Sequence, residues 1–135
     1  MSEPQLHPHL ALVHRLLRAI EQGDEAALLE LFAPHVQQRE FPNRLLAHGA
    51  ERGLPELLDG FRRGKHVVAN QRYEVTSSLV DGERVAVEVR WTAELKVPLG
   101  RLAAGDTMAA HCGMFFRIAG GRIAEQHTFD CFEPF

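Results

Sequence analysis

The apolar positions of the chain change period as it runs. Leu10, Val13, Leu16, Leu17 and Ile20 recur every three or four residues with Arg15, Arg18 and Glu21 among them, the stripe of an amphipathic helix. Pro8 suits its first turn, where no backbone N–H is needed, and Gly23 ends it. Asp24 caps a second helix carrying Leu28, Leu29, Leu31 and Phe32, which Pro34 stops. The short mixed run over 36–41 predicts a strand, ended by Pro42 and Asn43, and 44–52 predicts a loop. Leu54, Leu57, Leu58, Phe61 and Val68 mark a third helix. Gly60 and Gly64 sit on it at a cost of roughly 1 kcal/mol each against alanine, at a spacing that lets a neighbouring backbone come close. Arg62, Arg63, Lys65 and His66 form a solvated basic end that suits the helix dipole.

From Arg72 the period becomes two. Tyr73, Val75 and Leu79 face one way, with Glu74, Thr76 and Ser78 opposite. Asp81-Gly82 is a hairpin turn. Val85, Val87, Val89, Trp91, Ala93 and Leu95 then form the apolar face of the next strand, so Trp91 points into the core. A proline- and glycine-punctuated connection over 97–106 leads to a strand with Met108, Ala110, Cys112, Met114, Phe116 and Ile118 on one side. Ala119-Gly120-Gly121 returns the chain as its antiparallel neighbour. Three helices around one short strand, followed by a four-strand meander, give an α+β fold: helices packed on one face of a strongly curved antiparallel sheet. The chain reads as a single domain over 1–135, with 1–9 flexible.

The face shown by the last strand depends on the turn. A two-residue turn at Gly120-Gly121 pairs Ile118 with Ile123, points His127 and Phe129 inward, and buries Glu125 opposite Phe116. A three-residue loop at Ala119-Gly120-Gly121 pairs Ile118 with Arg122 and Phe116 with Ala124, and points Gln126, Thr128 and Asp130 inward. An unpaired carboxylate is expensive to bury, whereas Arg122 at a hairpin end can reach water. The second register is therefore expected.

Composition narrows the function classes. Of 135 residues, 45% are hydrophobic and 24% charged, with a formal net charge of -3. That balance gives no electrostatic case for nucleic acid or an anionic membrane. No apolar run has the length of a bilayer span, and the polar start does not read as a signal peptide. The two cysteines, Cys112 and Cys131, lack CxxC spacing and read as reduced thiols of a cytoplasmic protein. No metal is expected: His7 and His9 form only an HxH pair, and His127 and Cys131 lack a third ligand at a recognised spacing. Cys112 and His111 are consecutive in a strand, so they face opposite ways and form no nucleophile pair.

Four stretches carry a resemblance: EQGDEAALLELFAP, VAVEVRWTAEL, the PLG…AGDTM loop and the ending FFRIAGGRIAEQHTFDCFEPF. Together they resemble the nuclear transport factor 2-like superfamily, and within it the SnoaL-like group, over about residues 10 to 135. The resemblance implies a cystatin-like cone, a curved sheet wrapped on helices with a pocket inside, often dimeric through the sheet. The superfamily spans polyketide cyclases, steroid isomerases, epoxide hydrolases, dehydratases and binding proteins, so the fold alone does not name a reaction. Glu40, eight residues after Phe32, matches the carboxylate base of the steroid-isomerase-like members. Their oxyanion donors fall at Leu16 and Met114 here, which argues against the same isomerisation. The aspartate of the polyketide-cyclase-like members falls at Thr128, with Asp130 two residues on and on the same face.

Glu40 and Asp130 are thus the candidate acid/base pair. Gln38, Trp91, Cys112, Met114, Phe116, Gln126 and Thr128 are the candidate ligand contacts. The plainer alternative has Asp130 capping the tail or paired with Arg39, and Glu40 at a wet rim. Two classes of function follow: a cofactor-independent isomerase, cyclase or hydratase/hydrolase acting on a small, largely apolar molecule, or a non-catalytic binding or interaction module with the same cavity. The opposite face, with Glu88, Arg90, Thr92, His111 and His127 around an apolar Phe115, is the expected homodimer surface.

Overall fold

The computed structural model describes residues 6–135. Of the stretch expected to be flexible, residues 1–5 lie outside the described residues, and helix α1 (Pro8–Gln22) already begins within it. The HxH pair is a helix cap: the His7 ring accepts from the His9 backbone N–H at 3.1 Å, and His9 Nδ1 lies 2.8 Å from the Gly82 carbonyl. Gly23 closes α1 at φ 69, a left-handed position that glycine reaches without steric cost. Asp24 then caps α2 (Glu25–Leu31), its carboxylate accepting from the Ala27 N–H at 3.1 Å.

Strand β1 (Phe32–Glu40) starts earlier than expected and runs through Pro34. It can do so because the ladder to its neighbour is interrupted between Phe32 and Gln37, where no proline N–H is required. A short strand, β2 (Ala50–Arg52), stands inside the expected loop. Helix α3 (Leu54–Gly64) stops before Val68, which opens β3 (Val68–Asp81) instead of closing the helix. The remaining strands are β4 (Arg84–Leu95), β5 (Thr107–Ala119) and β6 (Arg122–Phe132).

The six strands form one sheet in the order β2-β1-β6-β5-β4-β3. It is mixed rather than wholly antiparallel, because β1 pairs with β6 in parallel. A parallel pair needs a long crossover, and α3 with the whole meander supplies it. The architecture is the α+β cone, three helices packed on the sheet's inner face. Val13, Leu16, Leu17, Leu28 and Leu31 of the first two helices meet Val85, Val89, Met114, Phe116 and Ile118 in the core. Among the described residues, no helix is long and apolar enough to cross a membrane.

The last hairpin combines parts of both registers weighed from the sequence. Its turn is the two-residue one: Ala119 pairs with Arg122 and Ile118 with Ile123. A bulge follows immediately, so that Arg117 pairs with Glu125, Phe116 with Gln126 and Cys112 with Asp130. The expected pairings of Ile118 with Arg122 and Phe116 with Ala124 are therefore wrong, while Gln126, Thr128 and Asp130 do face inward. The bulge buries Ile123 and Ala124 together and turns Glu125 outward, where Arg117 and His127 meet it at 3.5 and 3.2 Å. A similar shift between Val75 and Ser77 leaves Leu79 74% exposed and turns Val80 in, against the expected alternation.

Candidate functional site

Between the helices and the inner face of the sheet lies a cavity of about 510 Å³. Leu17 and Ile20 of α1, Leu28 of α2, Phe32 of β1, and Leu57 and Phe61 of α3 form its apolar side. Gly60 and Gly64 line it too, and a Cβ placed on either meets nothing within 4 Å. They leave cavity space rather than admitting a neighbouring backbone, which corrects the sequence expectation. Leu45 and Leu46 bring the loop after β1 to the rim.

The sheet side is polar and connected. Arg52 Nη1 donates to Glu40 Oε1 at 2.9 Å and to Gln38 Oε1 at 3.0 Å, and Asn43 Nδ2 donates to Glu40 Oε2 at 2.8 Å. Gln38 in turn donates to Gln126 Oε1 at 3.3 Å, and Gln126 to Thr128 Oγ1 at 3.1 Å. Glu40 thus enters the cavity with a guanidinium on one oxygen and an amide on the other.

Asp130 stands in a different environment. Burial raises its pKa; the Cys112 thiol donating to it works the other way, Glu40 adds to the rise, and Arg52 opposes it. The net direction is upward. Burial, then the charge of Asp130, pushes the Cys112 thiol up as well, so it is a hydrogen-bond donor and not a thiolate nucleophile. Also on the cavity wall, Gln71 Oε1 accepts from Trp91 Nε1 at 3.0 Å and from the Tyr73 hydroxyl at 3.3 Å. Burial raises the Tyr73 pKa, holding the phenol neutral.

Gln38, Glu40, Trp91, Cys112, Met114, Gln126, Thr128 and Asp130 all line this one cavity. Phe116 does not. It is 2% exposed, laddered between Val85 and Gln126 and covered by the helices, so it is a core residue rather than a ligand contact. Arg39 is no partner of Asp130: its guanidinium lies over the Phe41 ring, 4.6 Å from the centroid.

Arg52, Gln71 and Tyr73 were not among the sequence candidates. Arg52 was hidden by a three-residue strand whose pairing with Gln38 brings it alongside. Gln71 was hidden because β3 starts earlier than its period suggests. Tyr73 had a visible signal, its place in the period-two stretch beside Val75, which assigns it a strand face and no role.

Comparison with known proteins gives a consistent result. A model of the SnoaL-like domain matches residues 13–126. No curated protein sequence matches the chain significantly. IdmH of Streptomyces antibioticus, described as a candidate polyketide cyclase, superposes with a TM-score of 0.78 at 19% identity, over 92% of each chain. A SnoaL-like polyketide cyclase candidate from Jannaschia gives 0.73 at 18%, over 96% of this chain and 91% of that one. An LEH-like epoxide hydrolase of M. tuberculosis gives 0.73 at 14%, over 94% and 85%. Likeness at such identities speaks for the fold.

Proposed function

The chain belongs to the SnoaL-like domain family, and from that premise we propose that it binds a small, largely apolar molecule in the cone and transfers protons on it without a cofactor. Asp130 gives the proton and Glu40 accepts one. The reaction class is isomerisation, cyclisation or hydration/hydrolysis, with Gln38, Gln126 and Thr128 orienting the substrate.

The observation that carries this reading is two carboxyl groups in one apolar cavity, held in unlike surroundings. Asp130 is half-buried and its desolvation pushes it toward its protonated form, while Glu40 is ion-paired with Arg52. Environments that separate two carboxyls are what acid/base division of labour needs. The cavity volume falls in the range of small-molecule sites. One feature favours the second reading, a non-catalytic binding module: both Glu40 oxygens are already engaged, one by Arg52 and the other by Asn43.

The binding step is tested with the neutral probe N-phenyl-1-naphthylamine, whose fluorescence should rise saturably with one site per chain. Gly60→Leu fills the cavity while improving helix propensity, so it should lower probe affinity without lowering stability. No saturable signal, or an unchanged affinity in that variant, would remove the cavity from the account.

The same reading includes a homodimer through the outer face of the sheet. Phe115 and Phe129 are 51% and 41% exposed there, and Phe41 stacks on Phe129 at 4.1 Å. The free thiols at Cys112 and Cys131 fit a reducing, cytoplasmic setting.

A further inference from the structure

Helix α3 is held differently from the other two helices. Helix α1 buries Leu10, Val13, Leu16, Leu17 and Ala19, and α2 buries Leu28 and Leu31. Helix α3 buries none of its residues. Leu54, Leu57, Leu58 and Phe61 reach the main core but are only partly covered by it. The reason lies beneath them. Leu57, Gly60, Phe61 and Gly64 line the cavity, so part of the apolar face of α3 borders the cavity instead of packed atoms. Such a face forgoes the dispersion contacts that hold a packed helix down.

Polar ties compensate near its C-terminal end. Arg62 Nε and Nη2 donate to the two carboxylate oxygens of Glu25 at 2.6 and 3.0 Å. Lys65 Nζ donates to the Gly23 carbonyl at 3.3 Å and lies over the Phe61 ring, 4.6 Å from its centroid. Both ties are exposed to solvent and run to the corner between α1 and α2. They span a seam with cavity walls on either side: Leu17, Ile20 and Leu28 on the corner, Gly60, Phe61 and Gly64 on α3. At its other end α3 follows the three-residue β2 and begins without a side-chain cap. An element with few buried contacts and exposed ties opens locally, well below the free energy of global unfolding.

We propose that α3 is the door of the cavity, that ligand passes between it and the α1–α2 corner, and that the Glu25–Arg62 pair is the latch that sets the rate of passage. A ligand seated in the cavity supplies the atoms that this helix face lacks, so binding also holds the door shut. The pair is made in the closed form with and without ligand. It therefore governs how fast a ligand enters and leaves, and not how tightly it is held. The inference rests on the reading of the cavity as a site for a small apolar molecule.

The test is stopped-flow fluorescence with N-phenyl-1-naphthylamine, which is neutral, so that salt acts on the protein's charges. In the wild-type protein both the association and the dissociation rate should rise with added salt, which screens an exposed ion pair. Arg62→Met removes the guanidinium, so at low salt both rates should rise about threefold and lose their salt dependence, with the dissociation constant unchanged. Glu25→Gln should do the same, and the two together no more than either alone, because one pair is broken in each case. Amide hydrogen exchange gives a second readout: α3 should exchange faster than α1 in the free protein and slow when the probe is bound. Rates that neither variant changes overturn the latch, and α3 amides as protected as those of α1 overturn the door. A variant that binds the probe more weakly overturns the assignment too, since the pair would then shape the site. These three outcomes leave cavity binding standing. Absence of any saturable probe signal overturns the cavity reading and the door with it.

Discussion

Asp130 concentrates the electrostatics of the site. Burial raises its pKa, the Cys112 thiol lowers it by hydrogen bonding, Glu40 raises it and Arg52 lowers it. The folded chain therefore holds more protons than the unfolded one from the ordinary value of 3.8 up to the raised value. Stability falls as pH rises through that window and is level above it. Asp130→Asn removes the penalty, since an amide oxygen can still accept from the thiol. Its melting temperature should exceed that of the wild type near neutral pH and converge with it in acid; a lower melting temperature near neutrality would contradict this. Phe116 behaves differently because its ring has no cavity face. Phe116→Ala should cost about 3–5 kcal/mol in urea unfolding and act on binding only through stability. A loss under about 1 kcal/mol would mean the ring is not core.

The β5–β6 hairpin shows how an element can be half read. Clean alternation in β4 and β5 made their inner faces legible, Trp91 and Met114 included, because the two strands hold one register against each other throughout. In β6 the inward face was legible from the cost of burying Glu125, but the device that spares it was not. The turn is two residues long, and the extra residue sits at Ala124, whose own identity gives no sign of a bulge. The bulges at Asn70 and near Val75 escaped for the same reason, and Gln71 with them. Strand β2 is too short to show a period, and with it Arg52 went unseen. Deleting Ala124 tests the element directly. With the extra residue gone the ladder can run unbroken, Arg117 still opposite Glu125 and Phe116 still opposite Gln126, so Gln126, Thr128 and Asp130 should stay inward. The deletion variant should therefore fold and still bind the probe; a folded variant that no longer binds it would contradict the register.

At the scale of the whole molecule, the cone separates two surfaces of one sheet. The outer face gathers Phe41, Phe115 and Phe129, with Phe115 edge-on to Phe129 at 5.8 Å. Sedimentation equilibrium at micromolar concentration should give twice the mass of the chain, and Phe115→Glu should give the single mass. A wild-type monomer would contradict the homodimer. The inner face, closed by the helices, brings carboxyls from β1 and β6 into one cavity, and the functional account depends on that meeting. Side-chain carboxyl titration followed by ¹³C NMR tests it most directly. The account predicts that Asp130 titrates above the ordinary carboxylate range and that Glu40→Gln brings it down, because the Glu40 charge helps hold the proton on. An Asp130 that titrates in the ordinary range and does not respond to Glu40→Gln would contradict it.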